Sequence, residues 1–522
     1  RAFDNSSYAI YSNNGTVNSD ISNTIDIYGN LFSDNDGAIS LAFNNASSFA
    51  GAASLTERGV IYLSFDNSKW SVSGNSTISN LELLNGAAVD LNSSSDFIAL
   101  HTDNILGDTG EFGIKVDAVN SLSDKVIINN SSTGVYNVKF DDRTTGGYVS
   151  NGSLSLSIIE YANHSNGNYN ASFNGQVELG ALVYTLTYDN QSEIYYIGDA
   201  AFGGSNNSGG GNGTTPTPQQ SSSANTSVGF AMVNYAINNI NTQTILQRMG
   251  ELRQSNEQRD IMGDMWIRTY AGKLGSFDDN KRLDGVKYYG LQMGIDKMTN
   301  INNAKVYTGF SAGYARADAN YEKGDSQTTL YDFGVYALYY DESDFYVDTL
   351  AKYKKNKNNF NAVTINNNSV SGDGDSNSVS LSAEVGKRYG LTNNIYLEPQ
   401  VELSYTNQGS LSIKSSNGLK TEIDKYNSYL LRGSIIAGYK LKDTVNLYLK
   451  TGFIRELDGK SSYMFNADEN SKKEYKPNKN TFDNALGITI NSSAHNIYAE
   501  GAYQKGDEFD NVRANVGYRY RF

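Results

Sequence analysis

Strict period-two alternation that runs to the last residue constrains this chain more than any other feature. From Val512 the even positions read Val512, Ala514, Val516, Tyr518, Tyr520 and Phe522, and the odd positions read Arg513, Asn515, Gly517, Arg519 and Arg521. Successive side chains of a strand point to opposite faces, so one face here is apolar and the other is charged or small. The pattern recurs with Tyr429, Leu431, Ile435, Ala437, Tyr439 and Leu441, with Val379, Leu381, Ala383 and Val385, and with Val445, Leu447, Leu449 and Phe453. A further run holds Ile395, Leu397, Val401, Leu403 and Tyr405. Counting such runs predicts twelve strands, at 265–275, 286–298, 304–317, 327–341, 344–354, 377–388, 395–408, 428–441, 445–455, 481–491, 495–504 and 512–522.

A soluble sandwich also alternates, so the connections have to discriminate. Those after the odd-numbered strands are mostly long and polar, as at 355–376, 409–427 and 457–479. Those after the even-numbered strands are mostly short: DES at 341–343, KDT at 442–444 and NSS at 491–493. An even strand number with long loops at one end and tight turns at the other is the pattern of a transmembrane β-barrel. Strands of about 10 residues cross a bilayer when tilted. Of the 38 Tyr, 25 lie between Tyr270 and Tyr520, and they are expected to form girdles at the membrane interfaces. A closed barrel leaves no unpaired edge in lipid. The last strand should therefore pair with the first, turning Tyr520 and Phe522 to lipid and Arg519 and Arg521 to a wet interior. Asn515, Gly517, Tyr520 and Phe522 also resemble the C-terminal signal by which outer-membrane proteins are recognised by the machinery that inserts barrels.

Charge divides the chain. Residues 1–199 hold 7 Lys+Arg against 22 Asp+Glu, a net of 7 − 22 = −15. Residues 200–227 hold neither, and the remainder holds 35 against 34, a net of +1. The uncharged stretch, rich in Gly, Ser, Asn and Thr with Pro216 and Pro218, reads as a flexible linker. The overall net charge of −14 argues against a nucleic-acid partner, and with no Cys there is neither a disulfide framework nor a thiolate metal site. The chain starts at Arg1 without a secretory signal, which is expected of a processed or truncated fragment.

Between linker and barrel, residues 228–260 predict a helix. Phe230, Val233, Ile237 and Ile240 recur at helical spacing, as do Ile245, Met249 and Leu252. Residues 228–252 would span about 38 Å, close to the thickness of a bilayer. Asn234, Asn238, Asn239, Asn241, Gln243 and Gln247 make the segment too polar for lipid, so it is expected inside the barrel.

These features together resemble the type Va, pertactin-like autotransporters. The matching stretches are ILQRMGELR with MWIRTYAG, YGLQMGIDK at 289–297, GFSAGYARAD at 309–318, IYLEPQVELSY at 395–405 with Pro399, IYAEGAYQKG at 497–506 and the final GYRYRF. Arg248, Met249, Gly250, Glu251 and Leu252 form the helix-end element of that pattern. The resemblance implies an all-β protein: a right-handed parallel β-helix passenger at 1–199, a linker at 200–227, a pore helix at 228–260 and a 12-stranded translocator barrel at 261–522. It further implies an outer-membrane barrel with a surface-exposed passenger, and as partners the lipid bilayer, the barrel assembly machinery and periplasmic chaperones. No cofactor is implied.

Within the passenger, apolar–polar repeats with Gly and Asn turns are clearest from residue 60 onward, and 1–59 are Asn- and Ser-rich with poorly resolved rungs. Residues 60–199 are the expected autochaperone-like region. The stretch 177–199, with Val183, Tyr184 and Leu186, resembles the segment that closes the β-helix and starts its folding.

Nothing here predicts an enzyme. His101, His164 and His495 lie far from any nucleophile motif, and the GDS at 374–376 is expected to be a polar turn in a barrel loop. Asp373, Asp375, Asn377 and Glu384 sit at calcium-loop offsets, but Ser378 replaces the required Gly and Glu384 falls mid-strand, so no metal site is expected. Some autotransporters cleave themselves in the pore at an Asn-Asn pair just before the RMG element. Here Asn238-Asn239 lies about five residues upstream of that spacing, where Gln243 and Thr244 stand, so this chemistry is not expected. The alternatives to a secretion and display device are a passenger that binds a host or cell-surface ligand as an adhesin, a passive porin, or an enzyme activity carried upstream of residue 1.

Overall fold

The computed structural model describes residues 8–19, 24–56, 58–144, 154–163, 167–198, 219–254, 263–275, 283–442, 444–466, 471–492 and 494–522, with backbone alone for 244–254. The chain divides into two units, residues 1–221 with 364–368, and residues 222–363 with 369–522.

The first unit is a parallel β-solenoid. Its largest sheet stacks Thr16–Asn18, Ala38–Phe43, Val60–Asp66, Ser76–Leu84, Ala99–Gly107, Lys125–Ser132 and Ser155–Tyr161 side by side. A second face stacks Asp26–Tyr28, Ser48–Ala50, Lys69–Ser71, Ala87–Asp90, Thr109–Asp117, Val135–Asp142 and Ser172–Asn174. Inward side chains form ladders that run from rung to rung. Phe43 lies 4.6 Å from Phe65 and Phe49 lies 5.4 Å from Trp70, ring centre to ring centre, and all four are fully buried. Asparagines turn several corners: Asn14, Asn35, Asn45, Asn67 and Asn85 all take positive φ, which their short polar side chains tolerate better than most residues. Regular rungs begin well before residue 60, within the stretch whose rungs the sequence left poorly resolved. The overlooked signal is a 22-residue repeat, in which Ala38 pairs with Val60, Ile39 with Ile61 and Phe43 with Phe65.

The parallel stack ends in antiparallel structure. Gln176–Leu179 pairs with Leu182–Thr185, and Ile194–Gly198 runs back along Ser155–Tyr161. Val177, Leu179, Tyr184, Leu186 and Ile197 are buried in this cap, whereas Val183 is only half-buried. The segment predicted as linker is not wholly free of structure. Gln219 and Ser221 hydrogen-bond to Val183 and Ala181 of the cap, at 2.9 and 2.8 Å.

The second unit is a closed antiparallel barrel around one helix. Twelve strands make the wall: Asp264–Gly275, Leu283–Ile301, Ala304–Tyr321, Gly324–Asp341, Phe345–Val363, Ser369–Lys387, Ile395–Gln408, Tyr426–Lys442, Val445–Glu456, Asn480–Ser492, His495–Gly506 and Asp510–Arg521. The first and last pair in unbroken register from Asp264↔Arg521 to Gly275↔Asp510. The apolar runs read from the sequence face outward, including Val379, Leu381, Val401, Leu403, Leu431, Ile435, Leu447, Leu449, Val512 and Val516. No described helix is long and apolar enough to cross a membrane.

Two strand-level expectations are corrected. Residues 355–376 are not a loop: strands 345–363 and 369–387 continue through them as one long hairpin, so GDS at 374–376 lies in a strand. Likewise 409–427 and 457–479 contain short strands at Leu411–Ser415, Lys420–Ile423, Ser461–Phe465 and Lys473–Tyr475. Through 355–376 the outward row is polar, as at Lys355, Lys357, Asn359, Asp373 and Asp375, and the buried inward row mixes Asn356 and Asn358 with Phe360, Ala362 and Val370, so the alternation that marks a strand fades although the pairing continues.

Candidate functional site

The inside of the barrel is built of polar side chains and a helix. Ser222–Gln254 is one helix of 33 residues, about 50 Å long. It begins six residues before the predicted start, so 222–227, taken as linker, are helical and largely buried. Its described side chains are buried on nearly every side, the apolar Phe230, Val233 and Ile237 as fully as the polar Asn238, Asn241 and Thr242. This accounts for a sequence that fits neither lipid nor water: the barrel wall offers both apolar and polar partners.

The wall grips the helix through side chains from several strands. Lys352 Nζ meets Asp332 at 2.7 Å and donates to Asn241 Oδ1 at 2.6 Å, while Asn241 Nδ2 donates to Asp332 at 2.8 Å. Lys354 Nζ donates to the backbone oxygen of Asn238 at 2.7 Å, to Thr242 Oγ1 at 2.6 Å and to Ser380 Oγ at 2.8 Å. Asn238 Nδ2 donates to Gln408 at 2.6 Å, and Gln243 accepts from Arg513 at 2.9 Å and Gln504 at 3.2 Å. Nearer the N-terminal end, Tyr235 OH donates to Glu456 at 2.8 Å, and the Ser227 and Thr421 hydroxyls lie 2.7 Å apart. Elsewhere the wall pairs its own charges: Arg432 with Glu402 at 2.8 Å, Lys450 with Asp483 at 3.0 Å and Arg388 with Glu398 at 2.7 Å.

Tyrosines account for much of the remaining interior. Tyr270, Tyr336, Tyr346, Tyr396 and Tyr498 are buried, each lying over a glycine of a neighbouring strand: Gly290, Gly309, Gly386, Gly438 and Gly517 respectively. Tyr448 covers Gly487 and Trp266 covers Gly294 in the same way. A Cβ on any of these glycines would run into the ring. The expectation that tyrosines serve as interface girdles is thus only part of the account. Tyr289, Tyr331, Tyr353, Tyr429 and Tyr503 do face outward toward the long-hairpin end, and Tyr339, Tyr389, Tyr439, Tyr518 and Tyr520 toward the tight-turn end. The inward set was missed because a tyrosine on the polar row of a strand reads as a break in the pattern. The glycine across from it carries the signal.

Asn515 and Gly517 of the C-terminal element point inward, with Asn515 Nδ2 donating to Glu500 at 3.4 Å and Gly517 lying beneath Tyr498. Tyr520 and Phe522 point outward, 41% and 52% exposed, and the Phe522 amide donates to Gly263 at 3.2 Å. Arg519 and Arg521 turn inward beside Asp264. Arg248, Met249, Gly250, Glu251 and Leu252 continue the helix, and their side chains lie outside the described residues. The calcium-like set is split across the wall: Asp373, Asp375 and Asn377 face out and Glu384 faces in. His101 lies on a solenoid strand, His495 stacks against Tyr518 and Tyr520 on the barrel exterior, and His164 is outside the described residues.

Residues 265–504 match the family model of the autotransporter beta-domain, and residues 78–195 match that of pertactin. Among curated relatives, the probable autotransporter YcgV of Escherichia coli K12 is 31% identical over 93% of the chain and 53% of its own length. The pertactin autotransporter of Bordetella bronchiseptica is 24% identical over 93% of the chain and 55% of its own length. The chain therefore spans about half the length of the curated relatives it matches. Among solved structures, the beta domain of the Bordetella autotransporter BrkA covers 50% of the chain and 100% of its own, with 22% identity and a TM-score of 0.42. With a pertactin region and an autotransporter beta-domain matched in the order in which solenoid and barrel stand, the chain belongs to the autotransporters, as a stretch of surface-exposed passenger followed by its outer-membrane β-barrel.

Proposed function

We propose that this chain is a self-contained export and display device, in which the barrel carries the solenoid that precedes it across the outer membrane and then anchors it. The observation that carries this reading is the occupant of the lumen. The segment that fills the barrel is the one that leads directly back to the solenoid in the sequence. The helix is the last part of that connection and seals the pore once the passenger is out. Asn515, Gly517, Tyr520 and Phe522 act as the insertion signal read by the barrel assembly machinery, periplasmic chaperones keep the chain competent on the way, and the helix element Arg248–Leu252 ends the plug. In the cap, Tyr184 and Leu186, with Val183 beside them, start solenoid folding outside the cell. The stretch acts through binding and folding, without a catalytic centre or a cofactor.

Surface display tests this. In cells making the chain behind a secretory leader, the solenoid should be accessible to external protease and the barrel should be heat-modifiable in the membrane fraction. Phe522→Ser should lower both together. A solenoid that never becomes accessible in the unaltered chain would refute export. Full barrel levels in the F522S chain would refute the role of the C-terminal element.

A further inference from the structure

The middle of the lumen holds a group of cations whose partners, on the helix and on the wall, are mostly neutral. Lys354 is fully buried, and its three acceptors are a backbone carbonyl and two hydroxyls. Arg513, 2% exposed, spends Nη1 on the neutral Gln243, and its Nε and Nη2 have no hydrogen-bond partner among the described residues. Arg268, 1% exposed, turns its Nε to the Tyr498 hydroxyl, and its Nη1 and Nη2 likewise have no partner there. Among the described residues, of the four cations around helix positions 238–243 and just beyond, only Lys352 meets a carboxylate at ion-pair distance, Asp332, while Asp332 and Asp483 act on Lys354 and Arg513 from farther off. This contrasts with the rest of the wall, where Arg432, Lys450, Arg388 and Arg519 each meet a carboxylate. A buried ammonium or guanidinium with no carboxylate in hydrogen-bond reach is costly to maintain, which points to a role beyond stability.

We propose that Lys354, Arg513 and Arg268 form a contact site for the carboxylates of the passenger chain in transit, which the helix covers once export is over. The proposal rests on the export reading above. Its charge argument is independent of it: residues 1–199 carry 22 Asp+Glu against 7 Lys+Arg. When the helix is not in place, its carbonyl, hydroxyl and amide acceptors are gone. The three cations then face an aqueous passage with wide low-dielectric walls, where a fixed charge attracts opposite charge strongly. Acidic side chains arriving one after another would exchange along Arg268, Arg513 and Lys354. The helix, with its neutral acceptors, displaces the last of them. Because those acceptors are neutral, the plug competes only weakly while acidic chain is still passing.

The test follows the appearance of an N-terminal epitope at the cell surface by pulse–chase, a readout of emergence rather than of passenger folding. The double variant Lys354→Gln/Arg513→Gln should slow emergence by about tenfold. The slowing should vanish when the solvent-facing Asp and Glu of residues 24–144 are changed to Asn and Gln. Lys354→Arg/Arg513→Lys should restore the rate. Equal slowing for both passengers, or no slowing for either, overturns the proposal. Should the double variant fail to give a heat-modifiable barrel, the unaltered barrel decides the matter with a passenger made net basic by Lys substitutions. Slower emergence supports the site, and an unchanged rate overturns it. An unaltered chain that never displays its epitope would instead refute the export reading itself.

Discussion

The solenoid and the barrel are both walls of β-strand, and they are inverted copies of one rule. In the solenoid the row that faces in is Phe43, Phe49, Phe65, Trp70, Val89 and Leu100, all fully buried. In the barrel the row that faces in is Ser378, Ser380, Lys352, Arg432 and Asp483, and the aliphatic row faces out. Alternation alone is identical in the two. The solvent on the far side of the wall decides which row is core: water outside a solenoid, lipid outside a barrel. The comparison also separates how the strands are held together. Solenoid strands pair with neighbours one rung, some 18–27 residues, away in most of the stack, and the stack can lengthen rung by rung. Barrel strands must close a ring.

The sharpest way to break the contrast is a charge on each inner or outer row. Changing Tyr184 and Leu186 together to Asp places two carboxylates in the solenoid cap, at a cost above about 4 kcal/mol. We expect a displayed solenoid that external protease degrades, and a barrel that still resists heat and detergent. Loss of the barrel as well would show that the two units do not fold separately.

A cation on the lipid face comes next. Leu449→Arg, at a position 55% exposed on the outer wall, should cost about 2–4 kcal/mol if it lies near the bilayer midplane. Its neighbour Lys450 carries a positive charge on the inner row, paired to Asp483 at 3.0 Å. Denaturant titration of the barrel in detergent or lipid should show the loss for Leu449→Arg. An unchanged midpoint would mean that this row does not face lipid.

The smallest expected effect concerns the rings over glycines. Gly487→Ala should push the Tyr448 ring off its seat, at about 1–3 kcal/mol. The double change with Tyr448→Ala should recover part of that loss. Additive losses would show that ring and glycine are merely adjacent.

Most of this architecture was legible in the sequence because a wall with a different medium on each side writes its alternation plainly. All six alternating residues from Val512 to Phe522 face out as read. The reading failed where that difference disappears. Through 355–376 the outward row is polar, as at Lys355, Lys357 and Asn359, and the buried inward row mixes Asn356 and Asn358 with Phe360 and Ala362, so the strand looked like a loop. At residues 222–227 the serines and Asn225 looked like linker because their burial comes from the barrel wall and not from their own polarity. In the lumen, sequence reasoning found that the helix was too polar for lipid. It could not say that Lys352 and Lys354, twelve and ten residues of strand away from the hairpin turn at 364, would reach it, because the register that brings them to Asn241 and Asn238 is set by pairing between strands.

The seam between the first and last strands has a kinetic consequence. Asp264 meets Arg521 across 521 − 264 = 257 positions of chain, whereas most other neighbouring strands in the wall are joined directly by a hairpin. Loop-closure entropy grows only logarithmically with length, so closing the ring costs little more at equilibrium than a much shorter loop. The rate is another matter, since non-local pairing is slow. Until the seam forms, two edges of twelve residues each carry unpaired amides and carbonyls into a medium that cannot solvate them. The half-built sheet is thus the state in greatest need of company. A helper for this protein would have to offer a strand to each edge and give both up in the same step, at the moment when Asp264–Gly275 finds Asp510–Arg521.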